Sequence, residues 1–489
     1  MLKLLAFDYG ASSGRGMLGK FNGNKLSISE IHRFSNNPIT INGSLYWDIM
    51  NLFKEMKVGI SKCINNCKSD IAGIGVDTWG VDFGLLDSNG ELLRNPYHYR
   101  DPRTNGMIDI ASKYVSKQEI YDITGISFQK FNTLYQLLSM KETNHPVYKR
   151  SETLLFIPDL LNYFLTGIKS SEYTITSTSQ MLDSKTNNWA VDMLKEMDLS
   201  FNILADIINP GTIVGKIKKE ITEELNINNI PVIAVCEHDT ASAVVAVPSS
   251  NMECAYISSG TWSLLGIEAS MAIINKDSYK LNYTNEGGIN KTIRFLKNII
   301  GLWILQECKR EWDSSGEILE YNELILLAEK AKPFNSLIDP DKDAFYSPGQ
   351  MVKKIVNFCK MTGQKIPETK GEITRCVLES LALKYRMAVE ELEDIIGYSI
   401  SEIHIVGGGS QNKMLNQFTA NSTGKKVISG PVEATAIGNL MVQLLALNEV
   451  KDLEQIRTII KNSFLIQEYE PSDLELWDEA YDRFKKLVG

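Results

Sequence analysis

Apolar and polar positions along the chain alternate between a period of two and a period of three to four. Leu2 to Phe7 is an apolar run that predicts a buried strand, and a turn rich in glycine and serine, Gly10 to Gly16, follows it. A second extended run from Lys25 to Phe34 carries Leu26, Ile28 and Ile31, so the opening segment predicts strands around a Gly-rich hairpin. From Asp48 onward Ile49, Leu52, Phe53, Met56, Ile60 and Cys63 recur at threes and fours, the mark of one apolar helix face. IAGIGVDTWGVDFGLLDSNGELL then predicts a strand over Ile71 to Val76, a polar segment, and a further strand closed by the turn residues Asp87 to Gly90.

The same order of elements returns later. ECAYISSGTWSLLGIE, from Glu253, predicts strand, SSG turn and strand, and a helix over Ile373 to Ile396 presents Ile373, Val377, Leu381, Tyr385, Ala388, Leu392 and Ile395 on one face. The strand Glu402 to Val406 follows and enters a triple glycine. Two halves that each open on a Gly/Ser hairpin predict a duplicated α/β domain; the repeated order of elements carries this more than the shared SSG does.

Composition narrows the function classes. A chain of 489 residues with 43% hydrophobic and 23% charged residues has the makeup of a globular protein with sizeable cores. Net charge is −9 and no Lys/Arg block stands out, which argues against nucleic acid as the main partner. The seven cysteines are scattered, without a CxxC pair, and predict reduced thiols in a cytoplasmic protein. No segment reaches the ~18 uninterrupted apolar residues of a membrane span, and Met1 to Phe7 is too short for a signal peptide, so no membrane role is expected.

Candidate chemistry begins at FDYGASSGR, Phe7 to Arg15, in which GASSG satisfies the GxSxG pattern of a hydrolase nucleophile elbow. An elbow needs a helix directly after the serine and an oxyanion-hole donor from an earlier loop. Here a strand pattern follows Ser12 and only eleven residues precede it, so the hydrolase reading fails. A phosphate-holding turn explains more: glycines for a tight turn, backbone N–H groups, two hydroxyls and the Arg15 guanidinium as donors. It is not a P-loop, since GxxxxGK[ST] is absent; a plain hairpin turn with a solvated arginine stays open. Asp239 follows an apolar strand candidate, Pro231 to Val235, and precedes a helix candidate of small residues, Thr240 to Ala246. That placement suits a carboxylate at the edge of a sheet and equally a helix N-cap.

FDYGASSGR, GVDTWGVDFGLLD from Gly75, YRDPRTNG from Tyr99, FNTLYQL from Phe131, EHDTASAV from Glu237, SSGTWSLLG from Ser258, NEGG from Asn285, LKNIIGLWILQ from Leu296 and IVGGGSQN from Ile405 occur in one order, over roughly residues 4 to 445. Together they resemble the FGGY carbohydrate kinases. The resemblance implies an α/β fold of two ribonuclease-H-like domains of the actin and sugar-kinase type, residues 1–245 and 246–489, with an interdomain active-site cleft. It implies transfer of the γ-phosphoryl group of ATP to the primary hydroxyl of a ketose, L-rhamnulose, with fuculose or xylulose as neighbouring substrates; an actin-like ATPase or sugar-binding regulator that kept the fold is the alternative of another class.

The resemblance also assigns roles. Asp239 becomes the general base, flanked by His238 and Thr240 as sugar contacts, with Gly80 and Asn298 as further substrate positions. Ala11, Ser12, Ser13, Gly14 and Arg15 match a first phosphate hairpin, Thr261 a phosphate contact in the second, and Gln306 and Gly408 nucleotide positions. Gly408 precedes a helix candidate over Asn412 to Asn421. Asp8 matches the residue that positions Mg²⁺. Trp79 is a candidate for packing on the sugar, although a strand tryptophan is more often core, and Asp77 and Asp82 are candidates for bonding its hydroxyls. Gly16 departs from the aliphatic residue usual at that point of the family, and residues 446–489 carry no readable chemistry. The expected partners are a small ketose and ATP, as a monomer or a dimer.

Overall fold

The computed structural model describes residues 1–67, 70–249, 251 and 253–488. The chain forms two compact units, and both are discontinuous in sequence. The first comprises Met1–Pro248, Glu268–Phe295 and Ala434–Ser463, and the second Ser249–Ile267, Leu296–Glu433 and Phe464–Gly489.

The first unit is built on a six-stranded sheet in the order Thr212–Lys216, Pro231–Ala234, Gly73–Thr78, Leu2–Tyr9, Ser13–Phe21, Leu26–Ser35. The three strands from Pro231–Ala234 to Leu2–Tyr9 run parallel, and the three from Leu2–Tyr9 onward form an antiparallel meander. The helix Ile49–Cys67 follows the predicted face: Leu52, Met56, Ile60 and Cys63 are buried in one core with Leu5, Phe7, Ile74 and Val76. A helix from far along the chain, Ala434–Ala446, packs on Leu2–Tyr9 and Gly73–Thr78 and crosses the helix Asp239–Val245. At that crossing a Cβ on Gly438 would lie 1.8 Å from the Ser242 carbonyl oxygen, so only glycine fits. A second apolar cluster in the same unit gathers Leu134, Leu137, Leu154, Phe156, Met193 and Leu194 around the antiparallel pair Phe83–Leu86 and Thr153–Phe156.

The second unit repeats the plan. Of a seven-stranded sheet, the strands that carry this plan run Ile293–Ile300, which enters the unit at Leu296, then Trp262–Ala269, Cys254–Ser259, Glu402–Val406, Lys426–Ser429 and Gln467–Tyr469; the seventh strand is Thr284–Gly287. The hairpin pair is antiparallel, Cys254–Ser259 lies parallel to Glu402–Val406 and that strand to Lys426–Ser429, and the edge strand Gln467–Tyr469 is antiparallel. These six strands repeat the order of the first sheet, with one difference along the chain: the antiparallel edge strand precedes its neighbour in the first unit and follows it in the second. The long helix Lys370–Ile396 starts on a capping box between Thr369 and Glu372 and stops at Gly397, which adopts φ 79°.

The compact units do not coincide with a single division in sequence. Chain beyond residue 246 does not all join the second unit, because Glu268–Phe295 and Ala434–Ser463 pack with the first. The segment 446–489, unreadable for chemistry, is structural: it supplies the helix Leu453–Ser463 to the first unit, and the edge strand Gln467–Tyr469 and helix Leu474–Val488 to the second.

Candidate active site

In the first unit the parallel strands end together, the place where open α/β sheets bind ligands. Register places Arg15, Asp8 and Asp77 in one row across three strands. Asp8 accepts a 2.5 Å hydrogen bond from Arg15 Nη2. Asp77 is fully buried; Oδ2 accepts from Asn439 Nδ2 at 2.6 Å, and Oδ1 has no hydrogen-bond partner among the described residues. Burial, and after it the Asp8 charge, pushes the Asp77 carboxyl well above its ordinary range. Beside this row lies the hairpin turn, closed by Gly10 N–H donating to the Ser13 carbonyl and by Asn36 Nδ2 donating to the Gly10 carbonyl. Ala11 and Ser13 are half-buried, Ser12 is exposed, and Gly14 is held to glycine by the Phe34 ring, 2.2 Å from where a Cβ would stand. A strand follows the turn, which disposes of the nucleophile elbow.

The next parallel strand leads into Glu237, His238 and Asp239. Thr78 N–H donates to the Glu237 carbonyl, and His238 bridges to Thr78, so the tripeptide continues the sheet past the strand's end. His238 occupies the cap position of the helix Asp239–Val245 without a side-chain cap bond, and Asp239 stands at the first helical position. Asp239 is therefore not the N-cap that its sequence context allowed. Its carboxylate is 34% exposed, accepts from the Thr240 hydroxyl at 3.0 Å, and lies 3.5 Å from His238 Nε2.

Behind the tripeptide three carboxyls are buried in full. Glu172 accepts from the backbone N–H groups of Thr174, Ile175 and Glu237 and from the Thr174 hydroxyl, which in turn accepts from His238 N–H at 3.2 Å. Glu237 Oε1 accepts from Asn162 Nδ2. Burial, then the charges of Asp159 and Glu172, pushes Glu237 well above its ordinary range; burial does the same to Asp159 and lifts Glu172 to about 7. These acids fix the backbone that presents His238 and Asp239.

Gly80 is half-buried, 3.1 Å from the Thr178 hydroxyl at its Cβ position, and the next residue, Val81, adopts φ 68°. A β-branched residue in that region is strained, and the strain is held by Val81 N–H donating to Thr178 Oγ1 and by Thr133 Oγ1 donating to the Val81 carbonyl. Asp82 takes a role different from the sugar contact expected of it. Oδ2 accepts from Trp47 Nε1, Trp79 Nε1 and the Tyr99 N–H, and Oδ1 accepts from Gln136 Nε2, bonds that hold the buried carboxyl within the protein. Trp79 is likewise core, its ring 4.0 Å from that of Trp47.

Burial raises the Asp82 carboxyl from 3.8 to about 6, against the opposing pull of its Trp47, Gln136 and Trp79 bonds. The folded state thus holds this proton more tightly than the unfolded chain, and the stability it contributes is present below about pH 4 and lost as pH rises through 6. Relative to Asp82→Asn, which lacks the titration, the wild type should lose part of its stability advantage between pH 4 and pH 7. Denaturant unfolding of both proteins at the two pH values checks this; an advantage that grows with pH would show the carboxylate to be preferred ionised in the fold.

In the second unit the equivalent hairpin exposes Thr261, whose hydroxyl donates to Gln306 Oε1 at 3.2 Å, so two candidate nucleotide residues meet. Gly408 begins a short 3-10 turn after Glu402–Val406, and a Cβ there would meet nothing within 4 Å. The fold leaves open space above it, whereas Gly409 is pinned by Ser259. Asn412 caps the helix Lys413–Thr423 by accepting from Leu415 N–H. Asn298, on the strand Ile293–Ile300, is half-buried. Among the described residues no helix is long and apolar enough to cross a membrane. An open groove of about 650 Å³ in the first unit, lined by Asp122, Ser184, Asn187, Met271 and Lys291 among others, contains none of the candidate residues.

The N-terminal domain of the FGGY family of carbohydrate kinases matches residues 3–246, and its C-terminal domain matches residues 255–447. The chain belongs to the FGGY family of carbohydrate kinases. Rhamnulokinase of Bacteroides thetaiotaomicron is 43% identical over 99% of both chains, and that of Bacillus subtilis 43% identical over 96% of both. Among solved structures, a ligand-bound xylulose kinase from Lactobacillus acidophilus superposes with a TM-score of 0.85 at 17% identity, covering 100% of this chain and 98% of that one. Plasmodium falciparum glycerol kinase with ADP gives 0.82 at 17% identity over the same shares. The fold is the two-domain sugar-kinase fold of the actin type, and as an FGGY kinase the protein is a phosphotransferase with ATP as co-substrate.

Several residues packed around the tripeptide carry no clear mark in the sequence. Asp159 and Glu172 look like ordinary loop and helix acids. Arg294 sits in the apolar run Ile293 to Leu296, where an arginine has to find buried partners, and that anomaly was the available signal.

Proposed function

We propose that the protein transfers the γ-phosphoryl group of ATP to the C1 hydroxyl of L-rhamnulose, giving L-rhamnulose 1-phosphate and ADP, in the cytoplasm. The observation that carries the chemistry is the Asp239 carboxylate, partly exposed at the end of the parallel strands and free of the helix cap, where a bound hydroxyl can reach it. The sugar is assigned from the rhamnulokinases that match nearly the whole chain.

Asp239 accepts the proton of the sugar hydroxyl as its oxygen attacks the γ-phosphorus; the bond from that phosphorus to the bridging oxygen breaks, and ADP leaves with the electron pair. On the first unit, His238, Thr240 and Gly80 are the sugar-orienting positions, and Ala11, Ser12, Ser13, Gly14 and Arg15 the phosphate donors. On the second unit, Asn298 is a sugar position, Thr261 a phosphate donor, and Gln306 and Gly408 nucleoside positions. Mg²⁺ fits beside Asp8 and the unpartnered Asp77 Oδ1, since it keeps most of its water and takes one or two carboxylates. When bound it neutralises phosphate charge, and it would draw Asp77 toward its ionised form.

Arg15→Ala removes a phosphate donor and the Arg15–Asp8 ion pair. The KM for ATP should rise about tenfold with a smaller change in the KM for the sugar. Initial rates over a matrix of both substrates read this directly, and an unchanged KM for ATP together with unchanged kcat would refute the phosphate-hairpin assignment.

A further inference from the structure

Arg294 has no exposed surface, and its surroundings account for the acidic motif NEGG. Its Nε donates to the Gly287 carbonyl at 2.8 Å. Its Nη2 stands 3.0 Å from His238 Nδ1 and 3.1 Å from Glu286 Oε2, and His238 Nδ1 is 3.3 Å from the same Glu286 oxygen. All three side chains belong to the first unit and are buried. Burial works against an ionised Glu286, but the Arg294 charge beside it carries its carboxyl below the ordinary range, so the arginine has its counter-ion.

A guanidinium has donors only and keeps its proton. At 3.0 Å it must be the donor, which requires a lone pair on His238 Nδ1. The ring proton then sits on Nε2, the nitrogen that faces Asp239 Oδ1 at 3.5 Å. The other tautomer would set an Nδ1–H against the guanidinium N–H for the sake of a longer contact to Glu286. A ring held this way offers the ligand a donor and withholds its acceptor.

We infer that Glu286 and Arg294 are positioning residues that lock His238 as the Nε2–H tautomer, so that it presents a hydrogen-bond donor to a ketose hydroxyl beside Asp239. This rests on the sugar reading of the Asp239 site. It places the discrimination among ketoses partly in a residue pair that touches no substrate, and makes a sugar oxygen that accepts at His238 part of the recognised pattern.

The direct test is ring ¹⁵N NMR of the wild-type protein with labelled histidine, the His238 signals being identified by their loss in His238→Asn. An Nε2–H pattern is expected; an Nδ1–H or doubly protonated ring overturns the inference. Kinetics add a second reading. Arg294→Met should raise the KM for L-rhamnulose about tenfold while kcat and the KM for ATP change much less, and Arg294→Lys, which keeps a donor, should recover part of the loss. A uniform fall in kcat with both KM values raised, unrelieved by lysine, would mark Arg294 as a stabilising residue only. If Arg294→Met does not fold, the wild-type spectrum still decides. A wild type inactive on L-rhamnulose would instead overturn the substrate assignment, whereas an active wild type with an Nδ1–H ring would overturn this inference alone.

Discussion

Asp239→Asn is expected to lower kcat for L-rhamnulose phosphorylation by ~10²-fold or more while leaving both KM values within a few-fold of wild type. The substitution keeps the size of the side chain and its reach to the Thr240 hydroxyl, and it removes only the ability to take a proton. Because the carboxylate is neither the helix cap nor part of a buried ion network, the fold loses little. Steady-state ADP release from purified wild type and variant reads the effect, and near wild-type turnover by the variant would exclude Asp239 as the base. The magnitude is that of one lost general base; phosphate positioning by the hairpins stays in place and sets the residual rate.

Gly438→Val is expected to cost the first unit about 3 kcal/mol or more. The helices Ala434–Ala446 and Asp239–Val245 meet backbone to backbone at this point, and the nearest three atoms to a Cβ on Gly438 are all backbone atoms of Ser242. Nothing flexible can yield, so the added side chain forces the helices apart. The displaced helix begins at Asp239, and the displacing one carries Asn439, the donor to Asp77. Thermal unfolding should show the loss of stability, and activity should fall even at temperatures where the variant remains folded. A variant with unchanged unfolding would mean that the two helices do not pack this closely.

Much of the fold was legible in local pattern. The strands Leu2–Tyr9, Leu26–Ser35 and Glu402–Val406 and the helices Ile49–Cys67 and Lys370–Ile396 follow apolar periods that a single face must bury, and the repeated hairpins announced the duplication that the two sheets display. The candidate residues came from short motifs whose glycines and acids are dense enough to be noticed, and the structure brings Asp8, Arg15 and Asp77 into one row and Thr261 onto Gln306. What stayed hidden depends on distance along the chain. Asn439 reaches Asp77 across 362 positions, and no local period encodes that approach. Asp82 was a candidate sugar ligand because an exposed and a buried carboxylate look alike in sequence; its bonds to Trp47, Tyr99 and Gln136 exist only once residues from three distant parts of the chain converge. Gly438 looks like a weakness in a helix until its neighbour is known.

ADP release measured over a panel of ketoses including L-rhamnulose, L-fuculose and D-xylulose, with Mg²⁺ and ATP saturating, decides whether this FGGY kinase phosphorylates L-rhamnulose. The highest kcat/KM is expected for L-rhamnulose. A clear preference for L-fuculose or D-xylulose, or ADP release that no ketose stimulates, would overturn the assignment.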